Sequence, residues 1–135
     1  MVLTREQILQ TDLPFETIYI PEWGGDVRIK TMTGQERAAF EDSVVIDRDG
    51  KAEVDKKLFF AHLLAFTMVD DEGALLFEST EQVKEQLLTK SGAVLMRIGN
   101  RSARLNGLSA QDQEDLIKNS KPVPNGASAS ASLSH

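Results

Sequence analysis

Two short segments near the amino terminus have the period-two spacing of paired strands. In residues 15–20 (FETIYI), Phe15, Thr17 and Tyr19 alternate with Glu16, Ile18 and Ile20, and in residues 27–32 (VRIKTM), Val27, Ile29 and Thr31 alternate with Arg28, Lys30 and Met32. A period of two is typical of a β-strand, whose successive side chains point to opposite faces. Gly24 and Gly25 lie between the segments and can adopt the positive φ angles that a tight turn requires. The pattern therefore predicts a β-hairpin at about residues 15–32.

Two threonines mark predicted helix starts. Thr4 is followed three positions later by Gln7, and Thr33 by Glu36, which is the spacing of a capping box. The first predicts a short helix from residue 5 to about residue 10, and Pro14 prevents its continuation. The second predicts a helix that buries the apolar side chains Ala38, Phe40, Val44 and Val45.

The most apolar segment, residues 54–69, predicts a central helix with almost no polar face. A helix that is apolar nearly all round must be covered on several sides. Polar turns are predicted on either side of it, at residues 47–50 (DRDG) and 70–73 (DDEG). Residues 75–77 (LLF) form an apolar connector, either a short strand or a loop.

Three further helices are predicted in the second half of the chain. Ser79 and Thr80 open one that carries Val83, Leu87 and Leu88, and Ser91 caps another at residues 92–105. Gly99 lies inside the latter and costs about 1 kcal/mol relative to alanine, so close packing or a bend is expected there. Asn106 and Gly107 end this helix, Leu108 follows as an apolar staple, and Ser109 caps a last short helix with Leu116 and Ile117.

The composition changes sharply at residue 120. Residues 120–135 contain two prolines and an Ala/Ser alternation, which cannot bury enough apolar surface to offset the entropy lost on ordering. We expect a disordered tail there. The predicted fold is mainly α: a small helical domain at residues 1–119, with five to six helices and an N-terminal β-hairpin.

Size, charge and cysteine content limit the functional classes. A chain of 135 residues fits one domain, and its net charge of −6 makes nucleic acid a poor partner. The absence of cysteine excludes disulfides, thiolate metal sites and cysteine nucleophiles. The longest apolar run is too short to span a bilayer, and the first residues lack a signal-peptide pattern, so we expect a cytoplasmic protein.

No catalytic, metal-binding or cofactor-binding pattern is recognised. His62 shares the helical stripe of Leu58 and Phe66, which indicates a histidine at the core or its edge, and the other histidine, His135, lies in the tail. The acidic turns lack the alternating ligands of a calcium loop, and Gly24 and Gly25 are not followed by the lysine of a phosphate loop. We therefore expect no enzyme and no cofactor.

Three arginines give the helix at residues 92–105 a basic face. Arg97, Arg101 and Arg104 recur at helical spacing on the side away from Leu95 and Ile98. Such a face is either solvated or in contact with an acidic protein surface. The candidate acidic groups for self-association lie on the Thr33-capped helix (Glu36, Glu41 and Asp42) or near the carboxyl end (Asp112, Glu114 and Asp115).

Apolar groups are the other candidates for partner binding. Trp23, at the predicted hairpin tip, is either folded back over the core or exposed for recognition, because tryptophan is enriched in binding hot spots. The apolar excess of the central helix, with Leu58, Phe59 and Phe66, belongs either to the core or to a partner-binding surface.

Five stretches in order resemble the tail assembly chaperones of long, non-contractile-tailed bacteriophages, the siphophages. They cover residues 1–119 and depend on turns and caps whose order and spacing carry the likeness. The stretches are TREQIL at residues 4–9, PEWGG at 21–25, TGQER at 33–37, VDDEG with LF at 69–77, and RLNGLS at 104–109.

The resemblance implies a mainly α-helical chaperone that is absent from the mature virion and acts in the cytoplasm of the infected bacterial host. Family members coat the tape measure protein, keep it soluble, and help recruit major tail protein subunits. Because covering a long rod needs many copies, we also expect self-association into open spiral or helical oligomers. A longer form made by programmed ribosomal frameshifting commonly contacts the tail tube subunits. The resemblance transfers no catalytic or ligand residue, and the alternative is a small monomeric adaptor or regulatory domain that binds a folded protein.

Overall fold

The computed structural model describes residues 1–108, in which helices and strands alternate along the chain. This part of the protein is mixed α/β, so the prediction of a mainly α fold was wrong in emphasis. The last predicted helix, capped by Ser109, and the tail at residues 120–135 lie outside the described residues. The helices are α1 (Arg5–Leu9), α2 (Gly34–Val44), α3 (Phe59–Thr67), α4 (Thr80–Gln86) and α5 (Gly92–Leu105), and the strands are β1 (Phe15–Ile20), β2 (Gly25–Lys30), β3 (Val45–Arg48), β4 (Lys51–Val54) and β5 (Met68–Val69).

The predicted N-terminal hairpin is present. Strands β1 and β2 pair antiparallel from Phe15 opposite Lys30 to Ile20 opposite Gly25. The connection is a 3-10 turn, Pro21–Trp23, closed by Gly24 at φ 71°, and is longer than the tight glycine turn that was predicted. β5 joins the other side of β2, which gives the order β1-β2-β5 and leaves β1 at an edge of the sheet.

The predicted helix starts are confirmed by their hydrogen bonds. The Gln7 backbone N–H donates to Thr4 Oγ1 at 3.2 Å, and the Glu36 backbone N–H donates to Thr33 Oγ1 at 3.1 Å. In both caps the side chain three positions on accepts from the backbone of the capping threonine. Ser79 and Ser91 likewise cap α4 and α5.

The predicted helix at residues 54–69 is shorter than expected. Val54 ends strand β4, the helix proper is α3, and Met68 and Val69 form β5. The DRDG turn has Asp49 at φ 56° and Gly50 at φ 82°. Two consecutive left-handed residues match the twist of paired strands. The turn therefore connects the two-stranded β3–β4 sheet, and the apolar residues before and after it are strand residues.

Helix α3 lies at the centre of the described fold. Its apolar circumference is covered by α2, α4 and α5, as the sequence predicted for a helix without a polar face. One core cluster joins α3 to α4, α5 and the inner face of the three-stranded sheet. A second joins α3 to α2, to β4 and to the carboxyl end of α5. The helix is thus shared between both clusters.

Close packing explains the glycine inside α5. A Cβ atom on Gly99 would lie 2.6 Å from the Phe60 ring, well inside the contact distance. The glycine therefore lets α5 approach the ring on α3, which confirms the expected close packing. Nearby, the buried Ser102 hydroxyl donates to Thr67 Oγ1 at 2.8 Å and adds a polar contact between the same helices.

The carboxyl end of α5 is tied to the junction between β2 and α2. The Met32 backbone N–H donates to Asn106 Oδ1 at 2.8 Å, and the Asn106 amide donates to the Lys30 carbonyl at 3.2 Å. Gly107, at φ 69°, turns the chain so that the Leu108 N–H donates to the Ala103 carbonyl at 2.7 Å. Leu108 is buried in the second core cluster, and the helix that it was predicted to precede lies outside the described residues.

Candidate functional site

The arginine face of α5 meets the N-terminal hairpin of the same chain. Arg97 forms a bidentate ion pair with Glu22, with Nη1–Oε1 at 3.0 Å and Nη2–Oε2 at 2.8 Å. Arg101 Nε donates to Glu16 Oε2 at 2.7 Å. Two of the three predicted interface arginines therefore connect the helix to β1 and to the turn that follows it.

Electrostatics stabilise the ion pair between Arg97 and Glu22. Hydrogen bonds from Arg97, with a smaller contribution from the residue's own backbone N–H, lower the pKa of Glu22 to about 2. The same contact raises the pKa of Arg97. Both groups are charged at neutral pH, although each side chain remains nearly half exposed. Solvent therefore screens the pair, whose main effect is to fix geometry.

Two of the predicted acidic partners, Glu36 and Glu41, pair with other groups, whereas Asp112, Glu114 and Asp115 lie outside the described residues. Glu36 pairs with Lys30, and Glu41 Oε2 accepts from Arg37 Nε at 3.0 Å. Burial alone would raise the pKa of Glu36, but hydrogen bonds from Lys30 and the Thr33 backbone outweigh it and lower that pKa.

Two members of the predicted self-association set have no ion-pair partner among residues 1–108. Within residues 1–108, Arg104 and Asp42 are exposed and take part in no ion pair. Within residues 1–108, the fold brings none of the predicted arginines into an ion pair with Glu36, Glu41 or Asp42. A contact between these arginines and these three acids would therefore have to be made between copies.

The apolar candidates divide between interior and surface. Phe59 is only 5% exposed and packs edge-on against Phe40, with ring centroids 5.7 Å apart. Leu58 and Phe66 are half-buried against the two core clusters. Trp23 is 38% exposed at the end of the hairpin, next in sequence to Glu22. Of the four, Trp23 has the side chain most available to a partner.

An exposed apolar surface runs through the first part of the chain, and sequence reasoning did not identify it. Strand β1 turns Phe15 and Tyr19 outward, with exposed fractions of 56% and 62%, while Ile18 and Ile20 face the core. Helix α1 buries none of its residues, so Ile8 and Leu9 are exposed as well. The only signal in the sequence was that both faces of β1 carry apolar side chains.

His62 has the structural role that the sequence predicted. It is buried, and its two ring nitrogens lie 3.2 Å from Asp55 Oδ2 and 3.3 Å from Thr80 Oγ1. These contacts connect α3 to the segment after β4 and to the first turn of α4. A histidine whose two nitrogens both join structural elements is accounted for by packing and hydrogen bonding.

The described residues were compared with the requirements of a metal site and of a membrane-spanning helix. Between residues 1 and 108, no three histidine, aspartate or glutamate side chains converge as a metal site would require. No helix in that range combines the length and apolarity needed to cross a bilayer.

Neither a family model nor a curated protein matches the sequence. Among solved structures, a match is found to the structure titled "Structure of bacteriophage HK97 tail assembly chaperone". The identity is 19%, the match covers 74% of this chain and 90% of that chain, and the TM-score is 0.49. The chain is similar to that phage tail assembly chaperone.

Proposed function

We propose that this protein is a tail assembly chaperone of a long, non-contractile-tailed bacteriophage. In this proposal it is a non-catalytic binding protein that acts in the cytoplasm of the infected host. It coats the tape measure protein, keeps it soluble, and helps recruit tail tube subunits. It is absent from the mature virion.

The exposed apolar surface at the amino terminus is the observation that carries a binding function. Among residues 1–108, most of the exposed large apolar side chains lie in the first 23 residues, including Leu9, Phe15, Tyr19 and Trp23. Phe15 and Tyr19 share one face of β1, and exposed apolar groups that share a face favour partner contact. A long, amphipathic helical client has the complementary chemistry, since its apolar stripe can dock on such a surface.

The sequence resemblance supplies the class of chaperone. Three of its motifs lie at element boundaries: TREQIL begins α1, TGQER begins α2, and RLNGLS begins in the last turn of α5 and continues past its end. The resemblance therefore depends on residues that define the architecture and not on scattered surface identities. A longer frameshifted form that reaches the major tail protein is part of the same proposal.

Coating a long rod requires many copies. Repeated head-to-tail contacts with a small rotation generate an open spiral, whereas a two-fold contact closes on itself. Because Arg97 and Arg101 are paired within the chain, we assign the polar part of this contact to Arg104 of one copy and Asp42 of the next. Rim charges of this kind set orientation more than affinity.

Light scattering as a function of concentration tests the proposal. The full chain is measured alone, with a helical tape measure fragment, and with a scrambled fragment of the same composition. We expect assemblies that grow with concentration and capture only the native fragment. A strict monomer that ignores both fragments would contradict the proposal and favour the monomeric adaptor.

Charge exchange tests the polar contact. Arg104→Glu and Asp42→Arg should each weaken assembly growth at low salt, because each places like charges opposite one another. The double variant should restore growth, because the pair is reversed. Equal growth in all three variants would remove Arg104 and Asp42 from the interface.

A further inference from the structure

Strand β1 is an edge strand, and its pairing with β2 shows which of its backbone groups point into the sheet and which point away from it. Among residues 1–108, its one strand neighbour in the three-stranded sheet is β2. The Thr31 N–H donates to the Pro14 carbonyl at 2.9 Å, which makes Pro14 and Thr31 a hydrogen-bonded pair. Since these pairs recur at every second residue of an antiparallel ladder, Glu16, Ile18 and Ile20 direct their backbone groups toward β2.

The other three residues of β1 direct their backbone groups away from the sheet. Phe15, Thr17 and Tyr19 also expose their side chains. Within residues 1–108, no hydrogen bond from outside the hairpin reaches the backbone of any of them. The strand therefore presents three unpaired N–H groups and three unpaired carbonyls in a row.

This edge lacks the usual protection against strand addition. Natural edges carry lysine, proline or a bulge that blocks pairing. Here the outward positions hold two aromatic residues and a threonine, which are among the best strand formers. Pro14 and Pro21 lie only at the two ends of the strand. Backbone pairing is therefore possible along the middle of the strand and blocked by proline at both ends, so the edge can accept one short strand.

We propose that the free edge of β1 pairs antiparallel with β1 of a second copy, on a two-fold axis through Thr17. In that register Thr17 lies opposite Thr17 of the second copy, and each Phe15 lies opposite a Tyr19. All three outward residues become hydrogen-bonded pairs, and the two three-stranded sheets join into one of six strands. Cross-strand aromatic pairs add to the stability of the ladder.

A second copy is the occupant because the strand is complementary to itself. The symmetric register places no like charges directly opposite, since Glu16 faces Ile18 of the second copy and its carboxylate is held by Arg101. In the same register, the exposed Leu13 lies opposite Pro21 of the second copy, near the end of the hairpin where Trp23 of that copy is exposed. One contact would therefore cover apolar groups from both ends of the strand.

The inference is separate from the proposed function. A two-fold contact joins two copies and stops, whereas coating a rod needs the repeating contact assigned to Arg104 and Asp42. Loss of the two-fold dimer would leave client capture to be tested independently. Loss of client capture would leave the β1 dimer in place.

The main test replaces Thr17 with proline in the full chain. Thr17→Pro removes an outward N–H while keeping every bond to β2, because proline is tolerated where an edge N–H faces solvent. Thr17→Val is the matched control, since it keeps the N–H and a branched side chain. All variants are compared in an Arg104→Glu background, which suppresses the repeating contact assigned to Arg104 and Asp42. Sedimentation equilibrium should then show a reversible dimer for the parent chain and for the valine variant, and a monomer with the same circular dichroism for the proline variant.

Dimerisation of a folded proline variant with unchanged affinity would overturn the inference, as would a natural protein that is monomeric at every concentration or that assembles with no two-subunit step. If the proline variant unfolds, disulfide cross-linking through a cysteine at position 17 tests the register instead. Thr17→Cys introduces a single thiol, and residues opposite in a hydrogen-bonded pair have Cα atoms about 5.5 Å apart, within disulfide range.

The cross-linking control is Asp26→Cys. Asp26 is exposed on β2, opposite Tyr19. Its copy in the six-stranded sheet would be three strand spacings away, roughly 14 Å or more, which is too far for a disulfide. Mild oxidation should convert Thr17→Cys to a covalent dimer at low concentration and leave Asp26→Cys monomeric. Equal yields from both variants would contradict the two-fold register.

Discussion

Helix α3 and strand β1 are both rich in apolar side chains, yet they have opposite positions in the fold. Leu63 on α3 is fully buried and Phe59 nearly so, whereas Phe15 and Tyr19 on β1 are more than half exposed. Apolar character alone therefore does not distinguish an interior segment from a surface segment. The difference depends on how many neighbouring elements each segment has.

Neighbours differ for a geometric reason. Helix α3 contacts α2, α4 and α5, so its whole circumference is covered. Strand β1 belongs to a sheet that is covered on the face of Ile18 and Ile20, while the opposite face, with Phe15 and Tyr19, and one edge are open. The comparison predicts that substitutions in α3 act on stability, whereas substitutions on the outer side of β1 act on association.

The largest effect should come from truncating the centre of α3. Leu63→Ala should lower the free energy of unfolding by about 2–5 kcal/mol, because it leaves a cavity in a fully buried site. Tyr19→Ala should change it by less than about 0.5 kcal/mol, as is usual for exposed positions. Urea unfolding of dilute samples measures both, and similar losses for the two variants would contradict the contrast between interior and surface.

A smaller effect should follow from adding a methyl group where α5 packs closely against α3. Gly99→Ala places a methyl group against the Phe60 ring and should cost roughly 1–3 kcal/mol of unfolding free energy despite the better helix propensity of alanine. The double variant with Phe60→Leu should recover part of the loss, because the ring is removed. Gly92→Ala, where the added Cβ meets no atom within 4 Å, is the control on the same helix.

Loss of the Asn106 side chain should lower the free energy of unfolding by an amount similar to, or slightly smaller than, the loss in Gly99→Ala. Asn106→Ala leaves the buried Met32 N–H without its acceptor, which typically costs about 1–3 kcal/mol. The thermal midpoint should fall without a change in dimerisation, because the side-chain hydrogen bonds of Asn106 go to Lys30, Met32 and Ser102 and not to β1. Unchanged stability would mean that water replaces the lost amide.

The smallest effect concerns pH and the pair between Arg97 and Glu22. The pKa of Glu22 in the folded chain is lowered to about 2 from an ordinary value of 4.5, so its contribution to stability is present above pH 4.5 and is lost as pH falls toward 2. Glu22→Gln should remove that part of the acid dependence and little else. Carboxyl chemical shifts measured by NMR would check it, and a Glu22 midpoint near 4.5 would show that the pair does not form in solution.

The sequence alone determined features that depend on residues close together in the chain. Thr4 with Gln7 and Thr33 with Glu36 form the predicted caps, Gly107 and Leu108 end α5 as expected, and the hairpin at residues 15–32 is present. Each involves groups a few positions apart, where spacing along the chain fixes spacing in the fold.

Tertiary structure decided the rest, because it depends on contacts between distant segments. The alternating pattern of β1 could not say which apolar face would be covered, and the partners of Arg97 and Arg101 proved to be Glu22 and Glu16, each more than 70 positions away. Residues 54–69 looked like one helix until pairing with β3 and β2 drew both of their ends into strands. Local propensity is a weak preference that such packing and ladder contacts outweigh.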